Sequence, residues 1–112
     1  MATYSLKKFC PVTTLSGSNT TLYTASSPVT NSVIKQLLVA NYSASSATVS
    51  VYLVPSGGSA SNSNVILPSV AISANSTITL DITQVMNQGD FIVASASAGT
   101  AINITISGYE VQ

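Results

Sequence analysis

Charged side chains are scarce in this chain of 112 residues, where Asp, Glu, Lys and Arg together make up 5% of the sequence. An average soluble protein carries about 25%. Three basic and three acidic residues cancel, so the formal net charge is zero. Because little charge repulsion keeps copies apart, we interpret the chain as a subunit of an assembly, with a neutral monomeric domain as the alternative. Phosphate binding needs clustered Lys and Arg, so we predict no binding to nucleic acid.

Histidine is absent altogether, which removes the usual general base of enzymes. A serine nucleophile would need another base, and no G-x-S-x-G elbow is present. The carboxylates Asp81, Asp90 and Glu110 lie far apart in sequence, on a polar strand face, in a Gly-Asp turn and near the last residue. Folding could still bring two of them together as a glycosidase pair. We predict that the chain is not an enzyme, and that it has no catalytic residues.

Ligand-binding motifs are also missing. Three carboxylates without an Asx-rich calcium loop predict no metal site. The stretch 56–63, Ser-Gly-Gly-Ser-Ala-Ser-Asn-Ser, has neither a Walker lysine nor a dinucleotide pattern, so we interpret it as a flexible loop rather than a phosphate cradle. No cofactor is therefore expected.

Cysteine and long apolar runs are equally rare. The single cysteine, Cys10, cannot form an internal disulfide and is expected to be a small buried apolar residue. No apolar run approaches the roughly 18 residues of a membrane-spanning helix, so no membrane partner is predicted. The first residues lack the apolar segment of a signal peptide, which favours synthesis in a cytoplasm.

Apolar and polar residues alternate strongly between Val33 and Pro55. The pattern predicts two long strands, Val33–Tyr42 and Ala47–Val54, joined as a hairpin by the turn Ser43–Ser46. The first strand is apolar on both faces, which is typical of a central strand covered by a second sheet on one side and by a partner on the other. The second strand is apolar on one face only, at Ala47, Val49, Val51 and Leu53.

The rest of the chain is predicted to form further short strands. The segments Phe91–Ala98 and Ala101–Ser107 predict a second hairpin around Ala98-Gly99-Thr100, and Gln84–Gln88 predicts a single helical turn. Together these signals predict an all-β fold, an antiparallel β-sandwich and possibly a jelly roll, with about eight short strands. The remaining strands are predicted at Val12–Leu15, Thr20–Thr24, Val65–Ile72 (an edge or a bulge at Pro68) and Thr77–Ile82.

The first residues combine aromatic, apolar and basic side chains before a break at Pro11. We predict that residues 1–11 form either an arm that lies on a partner or an edge strand, and that residues 12–112 form a single domain. The candidate partner-binding residues are Tyr4, Leu6, Lys7, Lys8 and Phe9.

Five strand-and-turn strings between Val33 and Val111 give the chain its most distinctive sequence. They are Lys35-x-Leu37, Asn41-x-Ser43, the run Ala47-x-Val49-x-Val51-Tyr52-Leu53-Val54-Pro55-x-Gly57-Gly58, Ile72-x-Ala74-Asn75-x-Thr77 and Gly89-Asp90-x-Ile92-x-Ala94. In these strings the chain resembles small virion proteins of tailed bacteriophages, which decorate heads or belong to tails.

The resemblance implies a capsid decoration or cement protein, a structural protein that bridges neighbouring capsid subunits and stabilises the phage head. It implies a homotrimer, the major capsid protein or another virion protein as partner, and a place in a virion made in the host cytoplasm. The alternative is a tail-fibre or host-surface module whose exposed tyrosines bind a glycan. The resemblance implies no functional site residues.

Overall fold

The structure, a computed structural model, describes residues 3–26, 28–97 and 101–112. These residues form eight strands and no helix, so the predicted all-β fold class is confirmed. The strands are β1 (Tyr4–Thr14), β2 (Thr20–Thr24), β3 (Asn31–Asn41), β4 (Ala47–Val54), β5 (Val65–Ile72), β6 (Ser76–Asn87), β7 (Phe91–Ala96) and β8 (Ile102–Val111).

Two four-stranded antiparallel sheets pack face to face. Sheet A has the strand order β1-β8-β3-β6, and sheet B has the order β2-β7-β4-β5. Every pairing within them is antiparallel. This is the order of an eight-stranded jelly roll, in which the chain passes repeatedly from one sheet to the other. The predicted antiparallel β-sandwich is therefore confirmed, in its jelly-roll form.

Both predicted hairpins are wrong, although the strands themselves exist. Strand β3 lies in sheet A and β4 in sheet B, and β7 and β8 are likewise in different sheets. Among the described strands, only β4 and β5 are consecutive in the chain and neighbours in a sheet. Alternation of apolar residues fixes which face of a strand is buried, but both partners of a hairpin and both arms of an inter-sheet arch show the same alternation. The predicted turn Ala98-Gly99-Thr100 lies outside the described residues.

Asn41 stabilises the arch in which the chain crosses between the sheets after β3. Its side chain is buried, and its amide nitrogen donates to the carbonyl oxygens of Ser45 (2.9 Å) and Ile72 (3.0 Å). Its amide oxygen accepts from the Ser43 backbone N–H at 2.9 Å. These bonds satisfy two backbone carbonyl oxygens and one backbone N–H, and they tie the arch to the end of β5.

The predicted helical turn at Gln84–Gln88 is also wrong, since β6 continues as a strand to Asn87. There Val85 pairs with Val33 and Met86 with Ser32, so β3 supplies the hydrogen-bonding partner that keeps this segment extended. The strand through Pro68 is an edge strand of sheet B, with register shifts around the proline and a positive φ of 44° at Ser69. Both features agree with the predicted edge or bulge.

The core lies between the two sheets and is made by alternate residues of the central strands. Strand β8 buries Ile102, Ile104 and Ile106 completely, as its strict alternation predicts. Cys10 is buried in the same cluster, and its sulfur lies 3.6 Å from the Ile104 carbonyl oxygen. The prediction that Cys10 is a buried apolar residue is therefore confirmed.

The first described residues form strand β1 at one edge of sheet A. It pairs with β8 of its own chain from Tyr4↔Val111 to Thr14↔Asn103, as the outermost strand of sheet A. The predicted break at Pro11 is wrong, because the strand runs across it with two register shifts instead of ending there. The same strand therefore spans the boundary drawn between residues 1–11 and 12–112.

Candidate binding surface on the outer face of sheet A

Most of the exposed large apolar side chains belong to one sheet. Six such side chains are found among the described residues, and five of them lie on strands of sheet A. Core packing does not account for exposed residues of this size gathered on one sheet, whereas scattered ones need no explanation. The five are Tyr4, Leu6 and Val12 on β1, Leu38 on β3 and Val85 on β6, and the sixth, Tyr42, follows β3 directly.

Four of the outward-facing residues form a row across all strands of sheet A, in the order Leu6, Tyr109, Val33 and Val85. They point outward because the neighbours of Val33 in the chain, Ser32 and Ile34, are buried on the inner face. The two ends of this outer row are open to solvent, Leu6 at 92% and Val85 at 59% exposure, while Val33 in the middle is 8% exposed. The outer row is thus an apolar stripe whose two ends are left uncovered by the described part of the chain.

Tyr109 holds the centre of the outer row in place. Its ring lies 6.2 Å from the Tyr4 ring, measured between centroids, at an interplanar angle of 55°. A tilted aromatic pair at this distance contributes about 0.5–1.5 kcal/mol beyond the area it buries. The pair fixes the orientation of the Tyr109 ring across the sheet, so this part of the outer face is pre-formed.

A shallow open concavity of about 450 Å³ lies beside the outer row and collects all three basic residues of the chain. Lys8 on β1 pairs with Ser107 on β8, and Ser107 pairs with Gln36 on β3. Because Lys35 precedes Gln36, the serine lies between the two strands that carry Lys8 and Lys35. We call this feature the lysine concavity. Its lining residues are Leu6, Lys7, Lys8, Lys35, Ser107, Gly108 and Tyr109.

The narrow approach of β8 to β3 at Gly108 shapes this concavity. A Cβ atom at this position would lie 1.9 Å from the Val33 carbonyl oxygen and 3.0 Å from a ring carbon of Phe9. No side chain can be accommodated so close to backbone, because real Cβ contacts do not approach below about 3 Å. Glycine at position 108 therefore lets the two strands pair while the register shifts between Ile34 and Gln36.

The carboxylates of the chain are engaged away from the lysines. Asp81 accepts from the Gln36 side chain at 3.2 Å, and Asp90 accepts from the backbone N–H groups of Ser56 and Asn87. Lys35 donates to the Thr83 hydroxyl at 3.3 Å. Within residues 3–26, 28–97 and 101–112, no lysine forms an ion pair with a carboxylate, so the lysine concavity carries uncompensated positive charge.

A half-buried hydrogen-bond chain lies on the inner side of the same sheet. The Tyr23 hydroxyl donates to a Glu110 carboxylate oxygen at 2.6 Å and lies 2.7 Å from the Ser32 hydroxyl. Because the single phenolic proton goes to Glu110, the Ser32 hydroxyl is the donor to Tyr23. Burial, followed by the hydrogen bond to Glu110, raises the pKa of Tyr23 to about 12. Tyr23 therefore stays protonated at neutral pH, and Ser32 is inaccessible to a substrate.

The structure places four of the five candidate partner-binding residues on the surface. Tyr4, Leu6 and Lys8 lie along β1, and Lys7 joins them at the lysine concavity. Phe9 is the exception, and its prediction as a partner-binding residue is corrected. Its side chain is 5% exposed and packs against the Tyr23 ring, with the centroids 4.4 Å apart. The register shift after Lys8 turns this residue into the core, which simple alternation of Tyr4 and Leu6 with polar residues could not reveal.

The five candidate partner-binding residues did not include three residues of this surface: Lys35, Val85 and Tyr109, of which only Tyr109 had a predicted role, in the glycan-binding alternative. One signal for Lys35 was available, since a lysine inside an otherwise apolar strand marks the face that stays outside the core. Tyr109 and Val85 were hidden by the register, which pairs residues far apart in sequence with Val33.

Two further searches of residues 3–26, 28–97 and 101–112 gave negative results. No three His, Cys, Asp or Glu side chains come close enough together to hold a metal ion. None of the segments forms a helix with the length and apolar character needed to cross a bilayer.

Comparison with known proteins gives one matching family and several solved structures that align with this one. The family model described as Clp protease matches residues 20–109. A protein of Bacillus endospore appendages, described as a novel family of disulfide-linked pili, has a similar structure with a TM-score of 0.62 and 10% identity. That alignment covers 98% of this chain and 88% of the other. No curated protein matches the sequence significantly.

Two structures of infectious bursal disease virus align over a smaller part of the virus protein. The Gx strain structure has a TM-score of 0.49 and 16% identity, over 99% of this chain and 31% of that one. The VP2 subviral particle has a TM-score of 0.49 and 12% identity, over 98% and 32%.

The family match overturns the prediction that the chain is not an enzyme, because the matching family is one of proteases and the match spans most of the chain. The match assigns no catalytic residues, and the sequence limits what they could be. With no histidine in the chain, a serine–histidine–aspartate triad cannot be assembled from its own residues.

Proposed function

The chain belongs to the Clp protease family, and for this member of it we propose a structural role as a subunit of a virion. The outer face of sheet A carries the proposal, because its outer row ends in two exposed apolar side chains, Leu6 and Val85, that no described part of the chain covers. The jelly-roll fold supports it, since the Bacillus protein with a similar fold belongs to pili, which are also assemblies of subunits.

In its specific form, the proposal is a decoration or cement protein of a bacteriophage head. The sheet A surface contacts the major capsid protein, or another virion protein, and bridges neighbouring capsid subunits. This form is motivated by the strand-and-turn strings that resemble phage virion proteins, together with a net charge of zero. The protein is made in the host cytoplasm and becomes part of the virion.

Apolar burial should supply most of the attachment energy. Covering a large apolar side chain such as Leu6 contributes about 1.5–3 kcal/mol, whereas an exposed lysine–carboxylate pair contributes about 0–1 kcal/mol. Leu6 and Val85 are the two most exposed members of the outer row. Attachment should therefore persist at moderate salt concentrations.

The direct test adds purified protein to particles that lack it and measures occupancy. The double variant Leu6→Ser/Val85→Ser should lower the affinity about tenfold or more, which corresponds to about 1.4 kcal/mol. Tyr42→Ser is the matched control, because Tyr42 is 49% exposed but lies outside the outer row. Full occupancy by the double variant, or weaker binding by the control alone, would show that sheet A is not the attachment surface.

Self-association is a second part of the proposal, with a trimer as the expected form. Self-association is expected because the chain carries little charge and because strand β3 is apolar on both faces. The trimer is what the resemblance to phage virion proteins implies. Light scattering at micromolar concentration should report a mass near three times 11.4 kDa. A monomer at 11.4 kDa at every concentration would refute it.

A tail-fibre or host-surface module is the alternative within the virion. The exposed ring of Tyr42, at the end of β3, favours it, because glycan sites use aromatic faces. Host-cell binding that is lost in Tyr42→Ala, combined with no binding to particles, would replace the capsid role by this one.

Family membership favours a second candidate function, peptide-bond hydrolysis. Under this candidate, the purified protein releases fluorescent peptides from labelled casein, and an organophosphonate probe labels one of its serines. Identification of the labelled serine and loss of release on its replacement by alanine would establish the activity. A general base other than histidine would then have to be sought, since the chain has none.

A further inference from the structure

We propose that the lysine concavity and the adjoining edge of β1 bind an acidic extended segment of the partner protein. The inference rests on the proposed function only in that a partner exists, and it specifies the chemistry of the partner segment. The segment adds as a strand beside β1 and places carboxylates next to Lys8 on the outer face of the sheet. Lys7 and Lys35, which line the same concavity, add to the positive potential there.

The charge distribution is the first argument. The chain is neutral, yet all of its cationic side chains surround one concavity, and its carboxylates are bound to other groups. A neutral protein with an uncompensated cluster of this kind attracts anionic groups at that point. Ser107, between Lys8 and the bulge at Lys35, adds a hydroxyl donor within the same lining.

The backbone of β1 is the second argument. Strand β1 is the outermost strand of sheet A, so along Ser5–Lys8 one edge has no strand partner within the described part of the chain. An exposed edge offers N–H and C=O groups at the spacing of a new strand, and main-chain hydrogen bonds to such an edge supply affinity in β-augmentation.

The same lysines select an acidic segment over a second copy of β1. Two β1 edges paired in a register that sets Lys7 and Lys8 of one copy opposite those of the other would oppose like charges, which is destabilising. An acidic strand reverses the sign of these contacts. The residues that alternate with the carboxylates point to the opposite face of the sheet, where β-branched residues favour the extended conformation of the segment.

The experiment uses the isolated protein and a synthetic probe, so it does not depend on particles. The probe is a fluorescent peptide of about ten residues that alternates glutamate with valine, and binding is measured by anisotropy at low salt. The control peptide replaces each glutamate by glutamine. Lys8→Gln and Lys35→Gln should each weaken binding of the acidic peptide about two- to fivefold, while Lys8→Arg should retain it.

Two controls distinguish the contribution of charge to binding from the contribution of the hydrogen bonds at the β1 edge, and a third measurement verifies folding. Thr77→Gln, on the outer face of β6 at the other end of the sheet, should leave binding unchanged. A peptide with N-methyl groups on alternate amides keeps its charge but loses the edge hydrogen bonds, and should bind more weakly. Thermal unfolding of each variant verifies that it is folded.

Equal binding of the glutamate and glutamine peptides would overturn the proposal, as would unchanged binding by Lys8→Gln/Lys35→Gln. Self-association that is lost in this double variant, without any peptide binding, would mean that a second copy occupies the site and would also overturn it. Peptide binding without any attachment to particles would instead refute the capsid role and leave this inference standing.

Discussion

The Tyr23 hydroxyl lies 2.6 Å from the Glu110 carboxylate and joins the two sheets of the jelly roll at one end. Tyr23 is on β2 of sheet B, whereas Glu110 is on β8 of sheet A. Ser32 on β3 completes the connection with its own bond to the tyrosine oxygen. This polar bridge lies directly beneath the surface that carries the outer row, so it holds β8 and β3 at a fixed distance from the opposite sheet.

Removal of the bridging hydroxyl should destabilise the fold. Tyr23→Phe leaves the Glu110 carboxylate without its donor and the Ser32 hydroxyl without its acceptor. We expect the free energy of unfolding to fall by about 1–2 kcal/mol at pH 7, measured by urea denaturation. Tyr42→Phe, at an exposed ring, is the control and should change the stability by less than about 0.5 kcal/mol. Equal stability of both variants would show that the bridge contributes nothing.

The same bridge predicts a loss of stability in alkali. The pKa of Tyr23 is raised from 10.0 in the unfolded chain to about 12 in the folded protein, chiefly by burial and then by the bond to Glu110. Between these values the unfolded chain binds fewer protons than the native one, so stability falls as the pH rises from 10 to 12. Below pH 10 the contribution is complete. The unfolding free energy of Tyr23→Phe should fall less steeply than that of the wild type across this window, and parallel curves would contradict the prediction.

Gly108→Ala should be severely destabilising, because its new methyl group would overlap the Val33 carbonyl. Relief requires β8 and β3 to separate at the register shift, and we expect a loss of about 3 kcal/mol or more. Gly17→Ala is the matched control, since its Cβ would meet only the Ala96 carbonyl at 3.9 Å. Comparison of the melting temperatures of the two variants measures the effect. A stable Gly108→Ala protein would mean that the strands can move apart freely.

Asn41→Ala should loosen the arch between β3 and β4. The variant strips the Ser45 and Ile72 carbonyl oxygens of their donor in a buried position, at an expected loss of about 1–3 kcal/mol. The exposed Asn62 provides the control variant Asn62→Ala, for which little change is expected. Hydrogen exchange at Ser43 reports the arch directly, because its backbone N–H is bound to the Asn41 side chain. Unchanged exchange there would argue against this role.

Sequence patterns predicted the faces of the strands well but not their partners. The alternation in β8 correctly placed Ile102, Ile104 and Ile106 in the core, because burial depends on residues close together in the chain. The pairing of Tyr109 with Val33, which creates the outer row, joins residues from distant parts of the sequence. No local signal specifies such a pairing, so the hairpins proposed from adjacent strands were wrong while the strands were right.

The same limit applies to the candidate surface. Tyr4, Leu6, Lys7 and Lys8 were predicted because they are adjacent in one polar and aromatic segment. Phe9 was wrongly included, since a bulge after Lys8 changes the face of the strand without a glycine or an obvious turn residue at the shift. Lys35 joins them only through the strand order β1-β8-β3, which the sequence does not reveal.

The pairing of the first strand with the last has a consequence for how the protein is made. Cys10 on β1 and Ile104 on β8 are in contact across 94 residues of chain, so sheet A can close only after nearly the whole sequence has left the ribosome. Contacts of such high sequence separation slow folding to about milliseconds to seconds. Throughout that interval β1 has no native partner in the nascent chain, and the inner face of the unfinished sheet stays open. Slow closure of this kind exposes apolar surface and strand edges to aggregation while the protein is being made.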